Sequence, residues 1–336
     1  LATSGTVGTT VFNTRQVIDH AVRRCKLAPE QITSSHLQTA LELLWLMLSS
    51  WSNKLLALWA IDRPLVALSE AQSDVYLPAG TLDVMNAQLR TIQPIPGSLT
   101  LHGFGLNNYY QFDFTAASQV TQVGLTFSAN ATVGFVIQLS TDGSSYTTRV
   151  TVPATAFFNG QTVWYDIING VTGTTSIRVF ADATSSIRLT TLVAGTNPSD
   201  VPLSLMDRDT YAALPNKQYL GKPVQYYYDR QRGQPKLVLW PVPSTQYTQY
   251  TLLSLYTHRQ LQDVGTMQQE LEVPQRWYEA VVAGLASKCA SAYKEVAGDV
   301  KTLLAAEAEA EFNLAATGET DRGALRITPN IRRYTR

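Results

Sequence analysis

The sequence predicts an α+β protein of several domains: a helical bundle built from N- and C-terminal helices, a small antiparallel β sheet, and an inserted all-β sandwich. Three observations carry this reading. His36–Ile61 repeats Leu37, Leu41, Leu44, Trp45, Leu48, Trp51, Leu55 and Trp59 at three- and four-residue steps, which is helical spacing. Between Leu99 and Val193 the chain is rich in Thr, Ser, Gly and Val and has no Lys or Glu, and its apolar runs are short and separated by turn dipeptides. From Pro274 onward the helical period returns.

In chain order, Asn13–Lys26 predicts a first helix capped by Asn13 or Thr14, with Val17, Ile18, Ala21, Val22 and Cys25 as its apolar stripe and Pro29 as its end. His36–Ile61 predicts the central helix of the bundle, capped by Ser34 or Ser35 and closed by Pro64. Its polar interruptions at Ser49, Ser50, Ser52, Asn53 and Lys54 exclude a membrane span. Pro64–Leu89 reads as strand and turn, with a short helical turn within Val75–Gln88. Ile92–Gly97 and Gly195–Pro198 then bracket the insertion.

Seven strands are expected inside the insertion, with turns at Asp142-Gly143, Asn159-Gly160 and Asn169-Gly170, as in an all-β sandwich. After it come a helical turn at Asp207–Leu214, the strands Val224–Asp229, Lys236–Trp240 and Tyr247–His258, and a hairpin through Gln231–Pro235. Pro274 opens a helix reaching Val296, and Val300–Ala316 forms another. The domains are therefore residues 1–96, 97–197, 198–317 and a C-terminal tail, 318–336.

The 336 residues hold 26 basic and 26 acidic side chains, so no global attraction to nucleic acid or acidic membranes is expected. Charged residues make up only 15%, beside 16 Tyr and 6 Trp, a balance suited to a surface committed to contacts. Cys25 and Cys289 form neither a disulfide framework nor a metal motif. Residues 1–10 lack signal-peptide character, so a soluble intracellular protein is expected. The four histidines, His20, His36, His102 and His258, make no HxxxH or HExxH pair, and no P-loop or GxSxG elbow occurs. No catalytic, metal or cofactor site is expected, and the chain reads as a non-enzyme.

The run Tyr211–Asp263, followed by Glu272–Ala290 and joined to Met47, Leu48, Ser50 and Trp51 near the N-terminus, resembles the head-to-tail adaptor proteins of short-tailed bacteriophages. The resemblance covers Asn13–Leu89 and Val201–Ala316. The insertion looks more like galactose-binding or discoidin-type sandwiches. The resemblance implies a structural virion protein at the portal vertex, assembled in the host cytoplasm. A ring of about twelve copies would sit between the portal protein and the tail nozzle or tail tube, and help retain packaged DNA in its lumen. It implies that the tail reaches the portal through Arg322, Leu325, Arg326, Ile327, Ile331, Arg332, Arg333, Tyr334 and Arg336. Tyr226, Tyr228, Trp240 and Tyr256, from an aromatic cluster split between two sheet faces, are candidates for contacts with a neighbouring subunit or the tail. The alternative is a carbohydrate-binding accessory protein acting through the insertion, by Tyr109, Tyr110, Tyr146, Phe157 or Phe158. There Asp142, Asp166 and Asp182 offer oxygens for calcium, against their ordinary use as turn residues.

Overall fold

The computed structural model describes residues 11–54, 58–103, 108–181, 186–248 and 250–319. The chain divides into two compact units, Leu1–Ile61 with His258–Arg336, and Asp62–Thr257.

The first unit is helical. Helix α1, Thr14–Arg24, begins at Asn13, whose side chain accepts from Gln16 N while Gln16 returns a bond to Asn13 N, a reciprocal cap of the first turn. Its expected stripe is fully packed, with Val17, Ile18, Ala21, Val22 and Cys25 all buried. It stops at Arg24 rather than at Pro29, because Lys26 takes a left-handed conformation (φ 57°). Helix α2, Ser34–Ser52, is capped by Thr33, not by Ser34 or Ser35, and ends nine residues before Ile61. The Ser52 hydroxyl turns back to Leu48 O and also accepts from Leu261 N, so the polar cluster after Trp51 ends the helix. Helix α3, Tyr278–Ala292, follows Pro274 and a 3-10 turn, Gln275–Trp277. Helix α4 is Gly298–Gly318.

Helix α3, not α2, is the most enclosed. Tyr278, Val281, Val282, Leu285, Ala286, Cys289 and Ala290 are all buried in one core with α1 and α2. Its small residues allow that closeness: a Cβ on Gly284 would lie 2.8 Å from Met47 Sδ and 3.2 Å from the Trp51 ring.

The second unit is β throughout, apart from short helical turns. Its strands of three or more residues are β1 Leu65–Ala67, β2 Asp74–Tyr76, β3 Thr81–Ile95, β4 Gly97–His102, β5 Tyr109–Phe127, β6 Ala131–Ser140, β7 Thr147–Phe157, β8 Thr162–Ala181, β9 Leu189–Pro202, β10 Ser204–Met206, β11 Gln225–Asp229, β12 Lys236–Trp240 and β13 Thr251–Arg259. One large sheet runs β4-β5-β9-β3-β13-β1-β8-β6-β7, and β5 also pairs with β8. A second runs β10-β11-β12-β2.

Strands β5 and β8 each serve both layers of a sandwich. Their segments Tyr109–Asp113 and Ser176–Phe180 pair with each other, and β4 and β6 flank them. Their segments Gln122–Thr126 and Thr162–Asp166 pair again, after register shifts that let the strands bend. Phe112, Val123, Leu125, Phe127, Phe135, Ile137 and Ile177 fill the space between the layers.

The second layer closes on itself, since β5-β9-β3-β13-β1-β8 returns to β5. Alternation sends Ile92, Trp164 and Leu252 inside this ring. On β1, β3 and β13, Val66, Leu89, Leu253 and Leu255 point to a third core, shared with Tyr226, Leu237 and Leu239. Gly124 lies flat against Trp164; a Cβ there would meet the indole at 2.6–2.8 Å.

Several sequence expectations change here. The bracketing segments are strand: β3 runs to Ile95, and β9 passes through Gly195–Pro198 with a register shift after Thr196. Asn169-Gly170 lies within β8 rather than in a turn. Val75–Gln88 has strand and turn but no helix. The third expected strand, β13, joins the large sheet, lying between β3 and β1. The small sheet is mixed, because β10 runs parallel to β11.

At one end of the ring, Arg90 bonds both carboxylate oxygens of Asp200 (2.7 and 2.8 Å) and Asp166 at 3.1 Å, and Gln122 donates to Asp166 at 3.0 Å. These four residues tie β3, β9, β8 and β5 together. Replacing Arg90 by Ala is expected to cost about 2 kcal/mol in denaturant unfolding, because two partly exposed carboxylates lose their partner. Arg230→Ala, which opens the exposed pair with Asp83, should leave the midpoint within error. Gly124→Val should cost about 3 kcal/mol through overpacking against Trp164, read from the same curves.

Candidate functional site

No group of three or more His, Cys, Asp or Glu among the described residues could hold a metal ion. Burial pushes the Cys25 thiol up to about 12 and the Cys289 thiol up to about 11, so neither supplies a thiolate near neutral pH. His36 belongs to the α2 cap and lies 3.7 Å from Glu295. His102 stacks on Tyr109 with centroids 4.7 Å apart. Among the described residues, no helix is long and apolar enough to cross a membrane.

The most built surface lies where α4 ends. Glu319 caps α4 through its N–H to Ala316 O, and its side chain is only 2% exposed. Trp277 Nε1 donates to its carboxylate at 3.0 Å, and Arg276 pairs with it. The turn Gln275–Trp277 presents both partners together because Pro274 sets the entry to α3. Trp277 in turn packs against Trp51, Trp59 and Phe312, with centroids 5.4–5.8 Å apart. Lys54 Nζ lies 3.8 Å over the Phe312 ring, a cation–π contact. The point from which the last residues leave is thereby held by a buried carboxylate and four aromatic rings. Helix α4 leaves Leu303 and Leu314 exposed, and α2 leaves Trp45 and Leu46 exposed.

The tail residues Arg322, Leu325, Arg326, Ile327, Ile331, Arg332, Arg333, Tyr334 and Arg336 lie outside the described residues. The aromatic interface candidates divide. Tyr226 and Tyr228 are buried, a correction to their reading as interface residues. Alternation along β11 turns both into the core with Leu237 and Leu239, and Tyr228 OH donates to Thr81 O at 2.9 Å. Tyr227, on the opposite face, stacks on Tyr211 at 5.2 Å. Trp240 and Tyr256 are half-buried: Trp240 Nε1 donates to Asn216 O, and the Arg63 guanidinium lies 4.9 Å over the Tyr256 ring.

The aromatic residues proposed to bind glycans divide similarly. Tyr110 and Phe157 are core. Tyr109 and Tyr146 lie 4.9 and 3.7 Å from the Arg178 guanidinium, and Phe158 is 63% exposed. The N–H groups of Ser145 and Ser144, with the Ser140 hydroxyl, hold the Asp142 carboxyl well below the usual range, the bonding of a turn residue. Asp166 is engaged by Arg90 and Gln122, and Asp182 lies outside the described residues.

The Glu319 clamp escaped sequence reasoning, because Trp277 and Glu319 are separated by a helix-turn-helix and share no local pattern. The only signal was a lone acidic residue directly after a helix of strong formers.

Three solved structures similar to the chain cover between 26% and 32% of it. An F5/8 type C domain from Bacteroides fragilis is 9% identical, with a TM-score of 0.23, over 26% of this chain and 64% of that one. A truncated AlyQ with CBM32 and alginate lyase domains is 17% identical, with a TM-score of 0.27, over 32% and 35%. CpGH89CBM32-6 produced by Clostridium perfringens is 12% identical, with a TM-score of 0.25, over 31% and 91%. The chain thus spans less than two thirds of the first two. No curated protein matches it. A family model described as SU10 adaptor protein matches residues 148–333, from strand β7 through both C-terminal helices and into the Arg-rich tail. With more than half its length inside that model, the chain belongs to the SU10 adaptor protein family, whose members are phage-related structural adaptors.

Proposed function

We propose that this chain is a head-to-tail adaptor of the virion, forming a ring of about twelve copies between the portal protein and the tail nozzle or tail tube. The carrying observation is that the family match extends through residue 333, so the Arg-rich tail belongs to the shared part of the chain. In this reading, the helices of the first unit act as a bundle that carries the docking arm. Residues 97–197 serve as a module for contacts with neighbouring proteins. Arg322, Arg326, Arg332, Arg333 and Arg336 meet acidic groups of the portal, and Leu325, Ile327, Ile331 and Tyr334 anchor them. The buried Glu319 fixes where the arm begins, which shortens the search the arm makes on binding. The lumen of such a ring would face packaged DNA at the portal vertex.

The test is native mass spectrometry of the chain mixed with its portal ring. The expected result is a gain of one full ring of subunits, seen only with portal present. A monomer in every mixture would overturn the reading. Deleting Gly323–Arg336 should leave the unfolding midpoint unchanged and abolish that gain; full association of the truncated chain would remove the role from the arm.

One further truncation separates the arm from its root. The deletion just described ends at Arg322, keeps Glu319 and so should unfold like the full chain. A chain ending at Gly318 leaves Arg276 and the Trp277 N–H without their shared acceptor and should lose about 1–3 kcal/mol, read by urea unfolding.

A further inference from the structure

The end of the strand ring opposite Arg90 is open. Where β1 ends and β8 and β13 begin, a cavity of about 350 Å³ is lined by Ser69, Gln161, Thr162, Trp164, Thr248 and Tyr250, among others. That volume is within the range of small-molecule sites. We propose that this cavity binds a single ring of a neutral saccharide.

Four observations carry the proposal. The described residues lining the cavity include no charged side chain, so an ionic ligand would gain no counter-charge there. Trp164 is only 8% exposed, and what is exposed of it lines the cavity, where an aromatic ring can meet the apolar face of a sugar. Gln161 Oε1 accepts from Phe158 N at 2.9 Å, which fixes the amide and leaves both of its N–H hydrogens uncommitted. Thr162 and Thr248 use their hydroxyls toward Thr126 and Thr245 O and retain acceptor capacity. Donors and acceptors so mixed, beside aromatic rings, match the alternating hydroxyls and apolar faces of a pyranose.

Tyr250 supplies the fourth. It is a non-glycine residue at φ 54°, a conformation that strains a side chain of this size. The strain holds an aromatic ring at the cavity, where Gly or Asn would sit without strain. This site is separate from Tyr109, Tyr146 and Phe158 on the sandwich, and it does not depend on the adaptor reading.

Saturation-transfer NMR on the full chain, with methyl glycosides of galactose, glucose, mannose and N-acetylglucosamine, tests it. At least one glycoside should show transfer from the protein, and glucuronate should show none. Tyr250→Gly removes the ring while relieving the strained backbone, and Gln161→Ala removes the free amide. Each should weaken binding about tenfold or more with an unchanged circular dichroism spectrum. No transfer to any neutral glycoside would overturn the proposal, as would equal transfer in both variants or stronger transfer to glucuronate.

Discussion

Closure of the strand ring around Trp164 is the constraint on which the β unit depends. A ring of six strands has two faces, and here both carry core residues. Inside, Trp164, Ile92 and Leu252 pack together. Outside, the same strands wall off the sandwich core on one side and the core of the small sheet on the other. A one-residue slip in any of these strands would exchange its inner and outer residues and so damage two cores at once. Gly124 is what lets the indole lie against the wall. Arg90 then fixes three strands, β3, β9 and β8, at one end with charge-assisted bonds, and its bidentate pairing with Asp200 specifies register as well as adding energy.

The helical unit solves a different problem. A helix enclosed on most sides needs small residues where its neighbours cross, and α3 supplies Ala280, Ala283, Gly284, Ala286 and Ala290. Bulk comes from the neighbours instead, through Leu44, Met47 and Leu48 of α2 and Val17, Ile18 and Val22 of α1. This division explains why the Leu- and Trp-rich α2 looked like the centre of the unit. Large apolar residues mark what packs onto a hub, and the hub itself reads as bland.

What was legible in the sequence was whatever depends on short range. The α1 stripe, the Asn13 cap, the turns at Asp142-Gly143 and Asn159-Gly160 and the hairpin at Gln231–Pro235 all rest on neighbours within a few residues. Ring closure was not legible, because it joins β1 to β8 through one pairing, Val66 to Val163, across nearly a hundred residues. The fate of Tyr226 and Tyr228 was half legible: alternation shows that they share a face, but which face is core depends on what covers it. The clamp on Glu319 was hidden for the same reason, since a carboxylate acquires its meaning from Arg276 and Trp277.

The distribution of charge bears on assembly. The seventeen residues after Glu319 hold five Arg and one Asp, while the whole chain is neutral. The remainder therefore carries four net negative charges. A basic arm on an acidic body is drawn to acidic partners only where it can leave its own surface, and its association rate falls as salt screens the charges. The buried Glu319 carboxylate already has Arg276 and Trp277 as its partners, so the root of the arm is satisfied within the helical unit. In the proposed function, the charge of the arm serves the portal contact.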